Sequence, residues 1–297
     1  MRWMVEIVRV DIVIEVSLLS FYLAYPREGN IEADLHVIAY LKQKHNSIPV
    51  FDPTYPKIDE TLSNYCDLKD FYGDAEEAIP PNAPKLCVKD VDMRAKVDSD
   101  HAGDKETRRS RTGYVIFCNV TLVDWLSNNQ PTIETSVFGA GFVVLKHVME
   151  ALCGILYKLL MVGVPFSGYS YVYGDNMSII HNNQRPESTL RNKSNYFFYL
   201  SVRESMSMGD TNTAHISTHD NGSDFLTKVL YGSKRNKFGS EIFVTIMIDL
   251  FCLQDRIHCI WIELEGTVLF FPVNGLTKRS TGVVLAPDGV FSSILTC

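Results

Sequence analysis

The sequence predicts an α/β fold in which helices pack against a mixed β-sheet. Three β-rich runs, residues 94–100, 112–120 and 122–127, follow one another with short turns and predict a meander of strands. Beyond residue 136, helical and β-rich stretches alternate along the chain, which is the order that parallel strands with crossover helices require. A meander followed by this alternation predicts a mixed sheet with helices against it.

Helices and loops are predicted ahead of the sheet. Residues 1–40 place apolar side chains at helical spacing, with a break at "YPREGN", residues 25–30, and a second helical run after it. Residues 48–89 are loop-like and rich in proline, and "AIPPNAPK", residues 78–85, is the clearest linker in the chain. We therefore predict that residues 1–89 lie outside the main domain, with a boundary near Lys89.

Residues 90–238 are predicted to form the main domain. A long and mostly apolar run, residues 136–164, predicts a helix that ends near Gly163. The β-rich runs at 168–175 and 213–218 predict two further strands, so the sheet is expected to have five. Tyr114 and Trp125 are predicted to pack between this sheet and the long helix.

The last segment, residues 239–297, changes character. It is β-rich, it is broken by glycines and prolines, and it carries no motif. Two interpretations are open: a small β appendage, or a sequence of different origin joined to the preceding domain.

Composition narrows the class of protein. Of the 297 residues 46% are hydrophobic and 21% are charged, which is typical of a globular protein. The net charge of −7 argues against nonspecific coating of nucleic acid, although it is compatible with local basic patches. The seven cysteines include no CxxC pair, which predicts reduced thiols in the cytoplasm or the nucleus. Because the apolar start contains Glu6, Arg9 and Asp11, we predict no membrane span.

Acidic residues gather where strands are predicted to end. "VDSDHAGD", residues 97–104, holds three aspartates, whose mutual repulsion calls for a divalent cation unless they form a solvated turn. Asp98 and Asp175 each lie near the end of a β-rich run, and Asp224 opens the last short helix. If the first two strands are parallel neighbours, these acids meet at one edge of the sheet. Such convergence is what a two-metal nuclease requires.

Four sequence blocks carry a resemblance to a known family. "VDSDHAGDKETRRSRTGYVIF", "WLSNNQPTIETSVFGAGF", "YGDNMSII" and "NGSDFLTKVL" resemble, in order and spacing, the ribonuclease H domain of copia-type LTR-retrotransposon Pol polyproteins. Upstream, "AYLKQKHNSIPVFDPTYPKID" and "FYGDAEEAIPPNAPK" resemble the connection from that family's reverse transcriptase. The resemblance covers roughly residues 1–238. It implies a ribonuclease H-like mixed five-stranded sheet with flanking helices, preceded by a helical and loop remnant of the connection.

The resemblance also implies an active site with one acid missing. Four acidic residues hold two Mg²⁺ (or Mn²⁺) ions in that family, and three of them match Asp98, Asp175 and Asp224. The fourth, a glutamate near the start of the long helix, falls on Gly141 in "FGAGF". The implied ancestral reaction is hydrolysis of the RNA strand of an RNA–DNA hybrid, which we expect to be impaired here. The alternatives are an inactive nucleic-acid-binding or scaffold module and a non-functional fragment of a decaying element.

Basic groups in two polar loops are the predicted contacts to nucleic acid. In the setting of the resemblance they would hold the phosphates of an RNA–DNA hybrid or another nucleic acid, with other Pol products as further candidate partners. A solvated basic face is the alternative. The predicted contacts are Lys105, Arg108, Arg109, Arg111, Arg191 and Lys193. The remaining acids of the opening cluster, Asp100 and Asp104, are predicted to be turn and surface groups.

Overall fold

A computed structural model provides the structure of the chain. It describes most of the residues up to 245 and four later strands. The described ranges are 1–45, 47–57, 68, 72–73, 82–86, 88–166, 168–188, 190, 195–230, 232–245, 259–264, 267–272, 281–285 and 291–296.

The chain divides into two compact units. One consists of Met1–Ala24 and Phe51–Phe238, and the other of Tyr25–Val50 and Gly239–Cys297. The predicted boundaries at residues 89 and 238 stay predictions, and the structure assigns the first 24 residues to the same unit as the predicted main domain.

The first unit is built on a five-stranded mixed sheet, as predicted. The strands are β2 Met93–Ser99, β3 Arg111–Cys118, β4 Thr121–Asn129, β5 Ser170–Gly174 and β6 Thr211–His215. Their order in the sheet is β4-β3-β2-β5-β6. Strands β2, β3 and β4 form an antiparallel meander, whereas β5 is parallel to β2 and β6 is parallel to β5. This is the mixed five-stranded sheet with flanking helices that the resemblance implies.

The long helix predicted from the apolar run forms the core with one face of the sheet. Helix α4, Val137–Met161, begins where Ser136 Oγ accepts a hydrogen bond of 3.0 Å from the Gly139 amide. Its apolar residues, Phe142 and Leu152 among them, pack against the buried strand residues. By length and composition α4 could cross a membrane, but most of it is buried inside the unit, as expected for a core helix.

The prediction for the two aromatic residues of the meander is half right. Tyr114 belongs to the core cluster that includes α4, as predicted. Trp125 lies elsewhere, because its indole Nε1 donates a hydrogen bond of 3.2 Å to the Val5 carbonyl in the N-terminal segment. Residues 114 and 126 pair across the two strands, so Trp125, next to residue 126, points to the opposite face.

Shorter helices complete the first unit, and the last of them, Gly232–Ile242, continues past the end of that unit at Phe238. Their bounds are α1 Arg2–Ile7, α2 Val13–Ser20, α5 Met177–Gln184, α6 Tyr196–Ser207, α7 Asp224–Thr227 and α8 Gly232–Ile242. Helix α2 packs on β4 and on α7. Between α1 and α2, the Arg9 guanidinium binds the Asp11 carboxylate through Nε at 2.8 Å and through Nη2 at 2.6 Å, with both side chains buried. Because the two charges are paired, both side chains can be buried just before α2 begins.

In its described residues, the second unit contains a long helix, the last residues of α8 and two small sheets. Helix α3 is Glu28–Gln43, and β1, Ser47–Pro49, pairs antiparallel with β7, Phe243–Thr245. A four-stranded antiparallel sheet has the order β11-β10-β9-β8. Its strands are β8 Cys259–Leu264, β9 Thr267–Pro272, β10 Thr281–Leu285 and β11 Phe291–Thr296. The prediction that the last segment is β-rich is therefore confirmed.

Candidate functional site

Parallel pairing of β2 with β5 brings two of the predicted acids to one edge of the sheet. The register pairs Val97 with Gly174, the last paired positions of the two strands. Asp98 and Asp175 directly follow these residues, so both lie at the carboxyl edge, as the sequence predicted.

A small cavity of about 50 Å³ opens at this edge. Asp98 and Asp175 line it together with Gly141, and the rest of the lining is mostly apolar, including Ile179 and Ile180. The three positions that the resemblance links on β2, α4 and β5 therefore border a single space.

The third predicted acid, Asp224, shares one of its two cations with Asp98. The Lys228 Nζ lies 2.9 Å from Asp224 Oδ1 and 3.3 Å from Asp98 Oδ2, so it bridges the two carboxylates. The Lys234 Nζ donates to the other Asp224 oxygen, and the Thr227 hydroxyl donates to Asp98 Oδ2. Both carboxylates are almost completely buried, with 5% and 3% of their side chains exposed.

Burial and neighbouring charges move the pKa values of this acid pair in opposite directions. Burial raises the pKa of Asp98 to about 6, against the opposing effects of Lys228 and of the Thr227 hydrogen bond. Burial also acts to raise the pKa of Asp224, but the hydrogen bonds from Lys234 and Lys228 outweigh it and the pKa is lowered. Burial works against the charged form of Lys228, yet the two carboxylates raise the pKa of its ammonium.

Asp175 stands apart from this ion-pair cluster. It is half-buried, and its Oδ2 accepts a hydrogen bond of 2.9 Å from the Thr218 hydroxyl. Within the described ranges, no three histidine, cysteine, aspartate or glutamate side chains are grouped closely enough to hold a metal ion. The structure thus brings Asp98 close to Asp224, and it places Asp175 on the same cavity without joining it to them.

Gly141 is the position where the resemblance expects the fourth acid, and Ile179 fills the space beside it. A Cβ built on Gly141 would lie 2.1 Å from Ile179 Cδ1, and the next contact outside the helix would be Ser99 Oγ at 3.9 Å. No side chain fits at position 141 until Ile179 moves. Glu134, which precedes α4, lies beside Gly139 and not beside Gly141.

The residues present do not fit a pair of divalent ions in this arrangement. Both Asp224 oxygens bind lysine ammonium groups, and Asp98 Oδ2 binds a lysine and a hydroxyl. Glycine supplies no side-chain ligand at the fourth position. A metal ion bound here would need oxygen ligands that are already engaged.

The opening cluster of aspartates is otherwise a structured turn, as predicted. Asp100 Oδ1 accepts a hydrogen bond from the Arg111 backbone amide, which closes the loop between β2 and β3. The Asp104 carboxylate accepts hydrogen bonds from the Thr107 hydroxyl and, at 3.0 Å, from the Glu106 backbone amide. Arg108 has a positive φ of 57° in this turn, while the hydrogen bonds of Asp104 hold the loop in place.

The predicted basic contacts divide into three groups. Lys105, Arg108 and Arg109 are exposed on the β2–β3 loop and remain candidates for phosphate contact. Arg111 is buried with 3% of its surface exposed, and its Nη1 donates to Ser17 Oγ at 2.7 Å and to Ser127 Oγ at 3.2 Å. Arg111 therefore anchors α2 to β4, and the prediction that it contacts a phosphate does not hold. Arg191 and Lys193 lie outside the described residues.

Sequence reasoning missed three residues of the site. Lys228 and Lys234 bind the buried acids, although they are not among the predicted site residues. The spacing of four residues between Asp224 and Lys228 was the available signal, because residues i and i+4 face each other on a helix. No local signal identifies Ile179 as the neighbour of Gly141, since the two residues meet only through the tertiary fold.

Comparison with known proteins relates half of the chain to transposon polyproteins. No family model matches the chain. A segment of 158 residues, 52% of the chain, is 28% identical to the "Retrovirus-related Pol polyprotein from transposon RE1" of Arabidopsis thaliana. Similar matches of 27% and 28% identity link it to the polyproteins of transposon RE2 from the same plant and of TNT 1-94 from Nicotiana tabacum. The match spans only 11% of the length of each of these relatives.

Solved structures of ribonucleases H are also similar to the chain. The RNase H1 of Halobacterium salinarum matches 45% of the chain and 92% of its own length, at 14% identity and a TM-score of 0.34. The N-terminal RNase H domain of Rv2228c from Mycobacterium tuberculosis matches 50% of the chain and 97% of its own length, at 11% identity and a TM-score of 0.36. LC11-RNase H1, at 16% identity and a TM-score of 0.36 over 45% of the chain and 92% of its own length, was solved in complex with an RNA/DNA hybrid.

The homologues of this chain are thus retrovirus-related Pol polyproteins from transposons, in agreement with the resemblance carried by the four sequence blocks. The copia-type assignment stays a prediction. Ribonuclease H-like folds generally use divalent metal ions.

Proposed function

We propose that this chain is a retrotransposon-derived ribonuclease H-like domain that binds RNA–DNA hybrids and cleaves their RNA strand poorly or not at all. The fold and the transposon homologues support the ancestry. The ancestral activity would be hydrolysis assisted by two Mg²⁺ or Mn²⁺ ions held by Asp98, Asp175 and Asp224 with a fourth acid. Whole polyproteins contain much more than this segment, so other Pol products are proposed only as partners.

A single observation carries the proposal of weak cleavage. Position 141, where the family's glutamate is expected, is a glycine whose side-chain direction is occupied by Ile179 Cδ1. The cavity between Asp98 and Asp175 is accordingly small and lined mostly by apolar groups on this side. If the absent ligand is worth about 4 kcal/mol of transition-state stabilisation, turnover falls on the order of a thousandfold.

Nucleic-acid binding does not depend on the absent acid at position 141. Lys105, Arg108 and Arg109 are exposed on the loop that leaves the end of β2 next to Asp98. Basic side chains in such a position contact phosphates and hold a duplex in place without reading its bases. A domain that keeps these contacts and lacks a complete acidic site would bind a hybrid and leave it intact.

The test of impaired cleavage compares the wild type with the variant Gly141→Glu/Ile179→Val. The second change removes Cδ1, the atom that blocks the new side chain, and leaves the rest of the branched side chain in place. With a labelled RNA–DNA hybrid and Mg²⁺ or Mn²⁺, we expect the wild type to cleave slowly or not at all. We expect the double variant to cleave faster, because its new carboxylate adds a metal ligand that competes with the lysines bound to Asp98 and Asp224. Ile179→Val alone is the matched control and should stay at the wild-type level. Equally strong cleavage by all three proteins would refute the proposal.

The test of binding uses the same hybrid in EDTA. We expect wild-type binding to persist without divalent metal and to weaken as salt rises, because phosphate contacts release counterions. Arg109→Ala should lower the dependence of log K on log salt by about 1. A chain that folds but binds neither hybrid nor duplex would contradict the binding function and favour a non-functional fragment of a decaying element.

A further inference from the structure

We propose that the ammonium groups of Lys228 and Lys234 occupy the cation position between Asp98 and Asp224, so that this acid pair is neutralised from within and takes up no divalent metal ion. The inference rests on the proposed function, because it concerns the same acidic site. It assigns a role to two lysines that neither the resemblance nor the sequence pattern singled out.

The two lysine contacts of Asp224 support this assignment. One carboxylate oxygen binds Lys228 Nζ at 2.9 Å and the other binds Lys234 Nζ, so each oxygen has its own cation. Lys228 Nζ also lies 3.3 Å from Asp98 Oδ2, which links the two acids through one nitrogen. The cluster therefore contains two carboxylates and two ammonium groups, and its charges balance.

The backbone holds both lysines in place for these contacts. Lys228 follows the short helix α7 that Asp224 opens, four residues after that acid, so the two side chains share one face. Lys234 comes from α8, where its Nζ also donates to the Thr218 carbonyl at 3.1 Å and lies 5.8 Å from the centre of the Phe238 ring. A tethered cation competes with a dissolved one at a high effective concentration.

Adding a divalent ion to this balanced cluster is unfavourable. The ion would enter beside two ammonium groups, and its oxygen ligands would have to exchange lysine contacts for metal contacts. Because both carboxylates are almost completely buried, repulsion between the ion and the lysines would be only weakly screened. The lysines must leave before the metal can bind.

The first experiment is a titration of the full wild-type chain with Mn²⁺, followed by calorimetry, together with thermal unfolding in EDTA and in Mg²⁺. We expect no heat of specific binding and a change in Tm below about 1 °C, because an ion that does not bind the folded state cannot stabilise it. Saturable binding of one or two ions, or a clear rise in Tm with Mg²⁺, would overturn the inference.

The second experiment removes the internal cations with Lys228→Met/Lys234→Met. We expect Tm to fall in EDTA and to rise by about 5 °C in Mg²⁺ at a hundredfold excess over the dissociation constant. Lys237→Met, on the same helix but paired with the exposed Asp220, is the matched control and should show no metal response. A double variant that folds and stays insensitive to metal would contradict the inference.

If the double variant does not fold, Lys234→Met alone replaces it, because Lys228 then still bridges both acids. A metal-dependent gain in Tm for this variant but not for the wild type supports the inference, and an equal response of the two opposes it. Hybrid binding, measured separately in EDTA, reports on the proposed function. Loss of hybrid binding with intact metal exclusion would refute only the function, whereas metal uptake with intact hybrid binding would refute only the inference.

Discussion

The two halves of the acidic site are altered in opposite ways. Around Asp98 and Asp224 the site keeps its acids, and lysines and a threonine saturate their oxygens. Around Gly141, where the resemblance expects an acid, there is no side chain and Ile179 fills the space with hydrocarbon. One half is polar and charge-balanced, and the other is apolar and tightly packed.

An acidic edge of a sheet can therefore be stabilised by two independent routes. Charge compensation keeps the original carboxylates buried at a tolerable cost, since each is paired and hydrogen-bonded. Packing replaces a polar ligand with contacts that need no partner. Because the first route involves buried charges and the second only methyl groups, changes in the polar half should have the larger effect on stability.

The largest effect is expected from removing one internal cation. Lys234→Met leaves one oxygen of the buried Asp224 carboxylate without its ammonium partner, and we expect the free energy of unfolding to fall by about 2 kcal/mol. Urea denaturation measures this change. The matched variant Lys237→Met removes a lysine whose partner, Asp220, is exposed, and should not change stability measurably. Equal losses in both variants would show that burial of the acid pair is not what makes the lysine matter.

An effect of similar size is expected from pH, acting through Asp98. Because the pKa of Asp98 is raised to about 6 in the folded state, that state holds a proton more tightly than the unfolded chain does between about pH 4 and 6. The contribution of Asp98 to stability is therefore complete below pH 4 and is lost as the pH rises through 6, by on the order of 2 kcal/mol.

The variant Asp98→Asn tests the direction of this effect. It should remove the decline in the free energy of unfolding between pH 4 and 6, as measured by urea denaturation. Asp224 has the opposite sign, because its pKa is lowered: its contribution is present above the unfolded pKa and is lost on acidification. Asp224→Asn should therefore flatten the acid side of the profile. Two variants with the same pH dependence would contradict the assignment of opposite shifts.

The smallest effect is expected in the apolar half. Ile179→Val removes the one methyl group that lies in the side-chain direction of Gly141, and should destabilise the domain by about 1 kcal/mol. Thermal unfolding measures the loss. If Gly141→Ala is then added, part of the loss should be recovered, because alanine suits the helix better and the blocking atom is gone. A further loss of stability in the double variant would show that other atoms also occupy this space.

Much of the fold followed from local patterns in the sequence. The meander from residue 94 to residue 127 and the long helix after residue 136 were readable from alternation and from apolar length. The placement of Asp98 and Asp175 at one edge required only that their strands be parallel neighbours, which the pairing of Val97 with Gly174 confirms.

What could not be predicted depends on contacts between distant parts of the chain. Arg111 was expected on a basic surface because it follows three other basic residues, but β3 begins at this residue and turns its side chain inward to Ser17, 94 positions away. Trp125 was assigned to the wrong face because alternation along a strand gives two faces and does not say which neighbour covers each one. The contact between Gly141 and Ile179 could not be predicted for the same reason, because these residues lie on different helices that only the tertiary fold brings together.

The N-terminal helices have a consequence for β4, the outermost strand of the five-stranded sheet. Ser17 donates a hydrogen bond of 3.2 Å to the Ser127 carbonyl of this strand, and the Val5 carbonyl accepts from Trp125 beside it. An outermost strand left bare offers unpaired backbone groups to any other chain and invites aggregation. The Ser17 hydroxyl satisfies one of these backbone groups, the Ser127 carbonyl, and so leaves β4 fewer of them to pair with another chain.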